Sequence, residues 1–199
     1  MKQNQIFYIA DTHFSHKNIL RFDNRPFETV DEMDKTLMKN WNNAVGKNDT
    51  VMILGDFCWL KEDRWIEILE HLNGNKVLIK GNHCLKHMSG KLKDMFQDIK
   101  DYKEITDNGR HIIMCHYPIL AYKSSYNPTT YMLHGHTHKT REQQFVEKWT
   151  KELRDSRQTN SDSYGNIINV GCMLPYMNYM PRTLDEIIEG YKEFTKDKN

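Results

Sequence analysis

The sequence predicts a layered α/β protein, and three observations carry that prediction. Short apolar, β-rich runs recur along the chain, each ending in polar residues. Amphipathic helical patterns separate the early runs, whereas the later runs follow one another as strands. Asn108-Gly109 is a strong hairpin turn between two of the later runs. Strands that alternate with helices and then give way to strands imply sheets with helical layers packed over them.

The first run, Ile6 to Ala10, ends at Asp11-Thr12-His13. A helix is expected next: Thr29 and Glu32 form a capping-box pair, and Val30, Met33, Leu37, Trp41 and Val45 fall on one stripe that Gly46 can close. Thr50 to Gly55 reads as a strand ending at Asp56. Glu62 to Asn73 aligns Trp65, Leu69 and Leu72 as a second helix that stops at Gly74. Lys76 to Gly81 is a strand ending at Asn82-His83, and His111 to Cys115, beyond the hairpin from Tyr102 to Thr106, ends at His116. Tyr131 to Gly135 leads into His136 and His138, and Asn166 to Gly171 ends near Cys172. Continuous apolar runs of this length suit strands buried on both faces. A second capping-box pair, Thr183 and Glu186, starts a helix near the end of the sequence. The segment near 139–163 stands apart as a helical insertion, a charged helix of about four turns and then a polar loop. Phe145, Trp149 and Leu153 share one of its faces, and six basic and four acidic residues from Lys139 to Arg157 read as a solvated face.

With 199 residues the chain is expected to form one domain, 1–199, with a sizeable core. Hydrophobic content of 38% beside 28% charged residues excludes a disordered or membrane-bound class. The formal charge of +1 offers no global field for nucleic acid or an anionic membrane. No stretch reaches the roughly 20 apolar residues of a membrane span, and the run after Met1 lacks the apolar core of a signal peptide. Cys58, Cys84, Cys115 and Cys172 lie far apart with no CxxC pair, which points to reduced thiols in a cytoplasmic protein. Each reads as a small buried side chain.

The chemistry gathers at the strand ends. His136 and His138, two apart on an extended chain, share a side and converge as a metal corner, with His134 across Gly135. Asp11, His13, Asp56, Asn82, His83, His116, His136 and His138 together offer carboxylate, imidazole and amide oxygen. That set suits Mn, Fe, Zn, Ni or Co rather than a thiolate-bound metal. Loops at strand ends are where layered α/β folds place their sites.

In order, these blocks resemble the calcineurin-like metallophosphoesterases, whose pattern is DxH, GD, GNH, H and GHxH. Here they stand as Asp11-Thr12-His13, Gly55-Asp56, Gly81-Asn82-His83, His116 and Gly135-His136-Thr137-His138. The likeness is nearest to compact bacterial and phage-borne members, through "DTHFSHKNIL" and the downstream "RPF". It implies a four-layer sandwich of two mixed β-sheets flanked by helices, with a two-metal site at one edge. By position, one metal would take Asp11, His13 and His138, and the other Asn82, His116 and His136, with Asp56 bridging. Two divalent transition metals are implied, manganese first. A hydroxide shared between two such cations is a nucleophile near neutral pH. The resemblance makes His83 the candidate general acid, its alternative being to orient a ligand. Cys84 stands where the family has an acid after GNH, which weakens the expected tuning of His83. His134 receives no ligand role and is read as structural. His16 is expected to contact a phosphoryl oxygen, and Arg25 to bind phosphate or form a loop salt bridge.

The implied activity is hydrolysis of a phosphoester, as a phosphodiesterase or phosphatase, on a small or accessible substrate such as a nucleotide. A Ser/Thr protein phosphatase is disfavoured, because "GDFCWLKEDRW" lacks the arginine of GDxVDRG. The alternatives are a nuclease, with nucleic acid a less favoured partner for a chain of this charge, and a non-catalytic scaffold of the same fold. No membrane partner is expected.

Overall fold

The computed structural model describes residues 4–155 and 165–196. In the first sheet β1 (Ile6–Ile9), β2 (Thr50–Leu54), β3 (Asn75–Ile79) and β4 (Asp98–Lys100) run parallel in the order β4-β3-β2-β1. In the second, β5 (Tyr102–Asp107) lies antiparallel to β6 (Arg110–Cys115), followed by β7 (Thr130–His134) and β8 (Ile167–Asn169) in parallel. A short β9 (Arg182–Thr183) closes the first sheet antiparallel to β1. These are two mixed sheets flanked by helices, as the family resemblance implies. The hairpin between β5 and β6 turns on Asn108 (φ 47°) and Gly109 (φ 76°), the positive-φ pair that matches strand twist.

Register decides where the polar strand ends go. Ile9 pairs with Ile53, and Leu54 with Ile79, so β1, β2 and β3 end flush. In the other sheet Met114 pairs with Leu133. The sheets are then tied edge to edge beyond β1. The Ala10 N–H donates to the Val170 carbonyl at 2.9 Å, and the Cys172 N–H donates back to the Ala10 carbonyl at 2.9 Å. Polar residues leaving both sheets therefore share one edge.

The helices are α1 (Ile19–Phe22), α2 (Val30–Ala44), α3 (Glu62–His71), α4 (Gly90–Lys93), α5 (Arg141–Asp155) and α6 (Leu184–Lys196). Thr29 caps α2 by accepting from the Glu32 N–H, while the Glu32 carboxylate accepts from the Glu28 N–H. At α6 the cap is reciprocal: the Thr183 N–H donates to the Glu186 carboxylate and the Glu186 N–H to the Thr183 hydroxyl. Met33, Leu37 and Trp41 of α2 and Trp65, Ile68 and Leu69 of α3 bury into the main core with β1–β3. Each large side chain so buried contributes about 1.5–3 kcal/mol. The Trp41 indole N–H donates to the Asn73 carbonyl and that of Trp65 to the Cys58 carbonyl, which locks both helices to neighbouring loops.

On α5 the face that packs is not the Phe145–Trp149 stripe. Val146 joins Ile113, Met132 and Ile167 in a second apolar cluster and Thr150 is buried, whereas Phe145 is 59% and Trp149 42% exposed. The polar loop expected after this helix lies outside the described residues. All four cysteines are free thiols; Cys58 and Cys172 are buried, but Cys84 and Cys115 are half-buried. Among the described residues no helix is long and apolar enough to cross a membrane.

Candidate active site

The loops leaving the strands aim their side chains at one point through unusual backbone. Asp11, His13, Asp56, His136 and His138 all have φ between 47° and 67°. That region costs a non-glycine residue about 1–3 kcal/mol and persists only where the surroundings enforce it. Close approach adds a demand for glycine. A Cβ on Gly55 would lie 2.2 Å from His116 Nδ1, and one on Gly135 would lie 2.7 Å from both Ala10 Cβ and Asp11 Oδ2. Gly135 thus lets the first and last loops touch. The His136 N–H, just beyond it, donates to the Asp11 carboxylate at 3.0 Å.

Two groups of donors result. His13 Nε2 and His138 Nε2 are 3.4 Å apart, and His138 Nε2 is 3.8 Å from Asp11 Oδ1. On the other side Asn82 Oδ1 lies 3.0 Å from His116 Nε2 and 2.9 Å from His136 Nδ1. Asp56 Oδ2 reaches both groups, 3.7 Å from His13 Nε2 and 3.6 Å from His116 Nε2. Asp11 also approaches His116, at 4.0 Å. That contact is to Nδ1, whose proton goes to the Leu54 carbonyl at 2.8 Å. The free nitrogen of His116 faces Asp56.

The protonation states of His13 and Asp56 suit metal binding. Burial pushes His13 down to about 2, so its imidazole is neutral. Burial works to raise Asp56, but its contact with His116 and the charges around it prevail and hold it at about 2. A neutral imidazole and an ionised carboxylate are the ligating forms. The ligand atoms of Asp11, His13 and His138 lie within 4.8 Å of one another, as do those of Asp11, Asp56 and His116. Facing lone pairs on two imidazoles are repulsive unless a cation or a proton lies between them. The residues fit a metal.

A supporting layer, absent from the sequence reading, fixes this geometry. The His138 Nδ1–H donates to Asp23 Oδ1 at 2.7 Å, which turns Nε2 toward Asp11 and His13. Arg25 in turn donates to Asp23 Oδ2 and to the carbonyls of Asp11 and Thr12. Its side chain is wholly buried. The expected phosphate contact by Arg25 is therefore corrected to its alternative, a buried loop salt bridge. Asp34 holds the next turn, accepting from the Ser15 N–H and hydroxyl and from Arg64. Replacing Asp23 with Asn keeps the shape but weakens the orienting bond, and metal affinity should fall about 10–100-fold. Competition with a chromogenic chelator measures it; unchanged affinity would mean that Asp23 does not orient His138.

The remaining residues surround the donor cluster. His83 is exposed, and its backbone N–H donates to Asp56 Oδ1 at 2.9 Å. Its ring centroid is 6.0 Å from that of His13. Cys84 accepts from the Gly81 N–H at 3.1 Å, and burial pushes its thiol up to about 11. It is a neutral turn-former. His134 is fully buried, and burial lowers it to about 4. His16 is buried under the Trp59 indole, stacked at 3.8 Å and 4°. Trp59 and Tyr117, the latter 4.6 Å from His136 ring to ring, are exposed aromatics against site histidines that the sequence reading passed over. The available signal was position: each closely follows a candidate ligand, Asp56 or His116.

Layered mixed sheets with an Asp/His/Asn cluster on partly strained backbone at their joined edge define a metallohydrolase class of site. The chain belongs to the calcineurin-like phosphoesterase family, whose profile matches residues 5–176. That membership places it among phosphoester hydrolases that work with divalent metal ions. It is 34% identical over 193 residues to an uncharacterized protein of Methanocaldococcus jannaschii, covering 95% of this chain and 92% of that one. It is 30% identical over 159 residues to the gene 66 protein of Mycobacterium phage L5, covering 66% and 76%. The crystal structure of a protein of unknown function from Aquifex aeolicus superposes with a TM-score of 0.67 at 25% identity, covering 94% of this chain and 99% of that one.

Proposed function

We propose that this protein is a binuclear, divalent-metal-dependent phosphoesterase of the cytoplasm acting on a small or accessible substrate such as a nucleotide. One observation carries the reading: the Asp56 carboxylate stands between the two donor groups, 3.7 Å from His13 and 3.6 Å from His116. Asp11, His13 and His138 would hold one ion, Asn82, His116 and His136 the other, and Asp56 both. Manganese is favoured, with Fe, Zn, Ni and Co as alternatives for this donor set. When bound, two such ions acidify water to near-neutral pKa and offset charge on phosphoryl oxygens. Asp56, ionised at neutral pH, would supply the anion that a pair of cations needs. His138, oriented by Asp23, and His116, oriented by the Leu54 carbonyl, present Nε2 without rearrangement. His83 stands exposed at the opening, where a proton can pass from its ring to the departing alkoxide.

The nuclease alternative has one feature in its favour, a hollow of about 550 Å³ beyond the His83 loop, lined in part by Lys80, Lys86, Lys93 and Lys100. Lys80 pairs with Asp101 and Lys100 with Asp98, which halves its charge, so the small substrate remains preferred.

Elemental analysis after manganese reconstitution and dialysis should find about two ions per chain. The same preparation should hydrolyse members of a panel of phosphomonoesters, phosphodiesters and cyclic nucleotides, and lose that activity to a chelator. A reproducible stoichiometry of one or none would sink the two-metal assignment.

A further inference from the structure

Trp59 combines three properties that a surface tryptophan rarely has together. It is 45% exposed, it is rigidly held, and it touches the candidate active site. Its backbone N–H donates to the Phe14 carbonyl at 2.9 Å, next to the bridge that pairs Phe14 with Cys58. One side of the indole is covered by the His16 ring at 3.8 Å and 4°. The ring centroids of His83 and His13 lie 4.7 and 6.4 Å away. His16 is itself buried, with no hydrogen-bond partner for Nδ1, so its place under the indole is set by packing. Exposing a large aromatic surface forfeits the favourable burial of its area. A prebuilt aromatic plane beside a phosphoester site gains by stacking a flat ring of the ligand, since aromatic side chains tolerate any base face.

Resting on the phosphoesterase reading, we infer that Trp59, backed by His16, is the stacking platform for the base of a nucleoside phosphoester. A phosphoryl group at the Asp11–Asp56–His138 cluster would leave the base of the same ligand to reach the indole across one sugar. The His83 ring stands beside both, 4.7 Å from the indole and 6.0 Å from the His13 ring. Ribose phosphates and alkyl phosphates reach the same metals but leave the indole exposed. The class selected is therefore the nucleoside phosphates, with little discrimination among bases, because stacking carries no hydrogen-bond readout.

Calorimetric titration of the purified full chain in manganese buffer with adenosine 5′-monophosphate, ribose 5-phosphate and phenyl phosphate tests this. The nucleotide should bind roughly 5–100-fold more tightly than ribose 5-phosphate, the factor expected of one base–aromatic stack. Trp59→Leu should bring that ratio close to one, and Trp59→Phe should restore much of it. The wild-type Trp59 indole N–H resonance, identified by its loss in Trp59→Phe, should shift with the nucleotide and not with ribose 5-phosphate. This readout stands even if the leucine variant misfolds. Equal affinities in the wild type, or a preference that survives in well-folded Trp59→Leu, would overturn the platform. Phenyl phosphate binding as tightly as the nucleotide would overturn the nucleoside assignment. A nucleotide preference without turnover of any ester would remove the phosphoesterase reading and leave the stacking site. Turnover without a preference would do the reverse.

Discussion

Asp56→Asn should lower turnover by about 10³-fold on the proposed two-metal reading, because a metal pair would supply several kcal/mol of transition-state stabilisation and each 1.36 kcal/mol is a factor of ten. The substitution is nearly isosteric, and one amide oxygen can still accept the His83 N–H that Asp56 Oδ1 now takes at 2.9 Å. What disappears is charge. Asp56 is almost fully buried and held at about 2, so at neutral pH it is a carboxylate facing His13 on one side and His116 on the other. Two cations about 3.5–4 Å apart repel strongly in such a site unless an anion separates them. Metal content should fall from about two ions toward one, and turnover with it. Near-wild-type turnover at full metal occupancy would show that the bridge has been misassigned, with Asp11, which also approaches both groups, the next choice.

The donor positions were legible in the sequence because each follows a strand whose apolar run is continuous. Once those strands end flush, the residues beyond them have to meet. The supporting residues were not legible for the opposite reason. Asp23 meets His138 across 115 positions, and Arg25 is held by Asp23 and by two backbone carbonyls, so neither leaves a periodic trace. The edge strands β4 and β9 are two or three residues long and carry Asp98, Lys100 and Arg182 where a run of apolar residues would have marked them. On α5 the i, i+4 aromatics Phe145 and Trp149 advertise a packing face, yet the sheet takes the adjacent stripe through Val146 and Thr150. Only tertiary packing chooses between two apolar stripes on one helix. Trp59 shows the converse, an aromatic without periodicity whose meaning comes from what stands next to it.

His83→Ala should keep both metals yet turn over poorly, and the loss should depend on the leaving group. The hydrogen bond from His83 to the donor cluster comes from its backbone N–H, on Asp56 Oδ1, and its ring lies 6.0 Å from that of His13. Alanine preserves that bond and removes only the exposed ring. If the ring protonates the departing oxygen, an alkoxide such as ribose or methanol loses a partner that it needs, whereas nitrophenolate leaves unaided. A positioned acid contributes about 10²–10⁴-fold, so most of that loss should appear only with the poor leaving group. The lower end is expected here. The neighbouring position holds Cys84, whose buried thiol is pushed up to about 11 and engaged with the Gly81 N–H, so it supplies no negative charge to orient or tune the imidazole. The comparison reads the acid only where chemistry limits the rate for both esters, which single-turnover measurement establishes. Equal losses on both substrates at full metal occupancy would make His83 a group that positions the phosphoryl oxygens, and the leaving group would then take its proton from solvent.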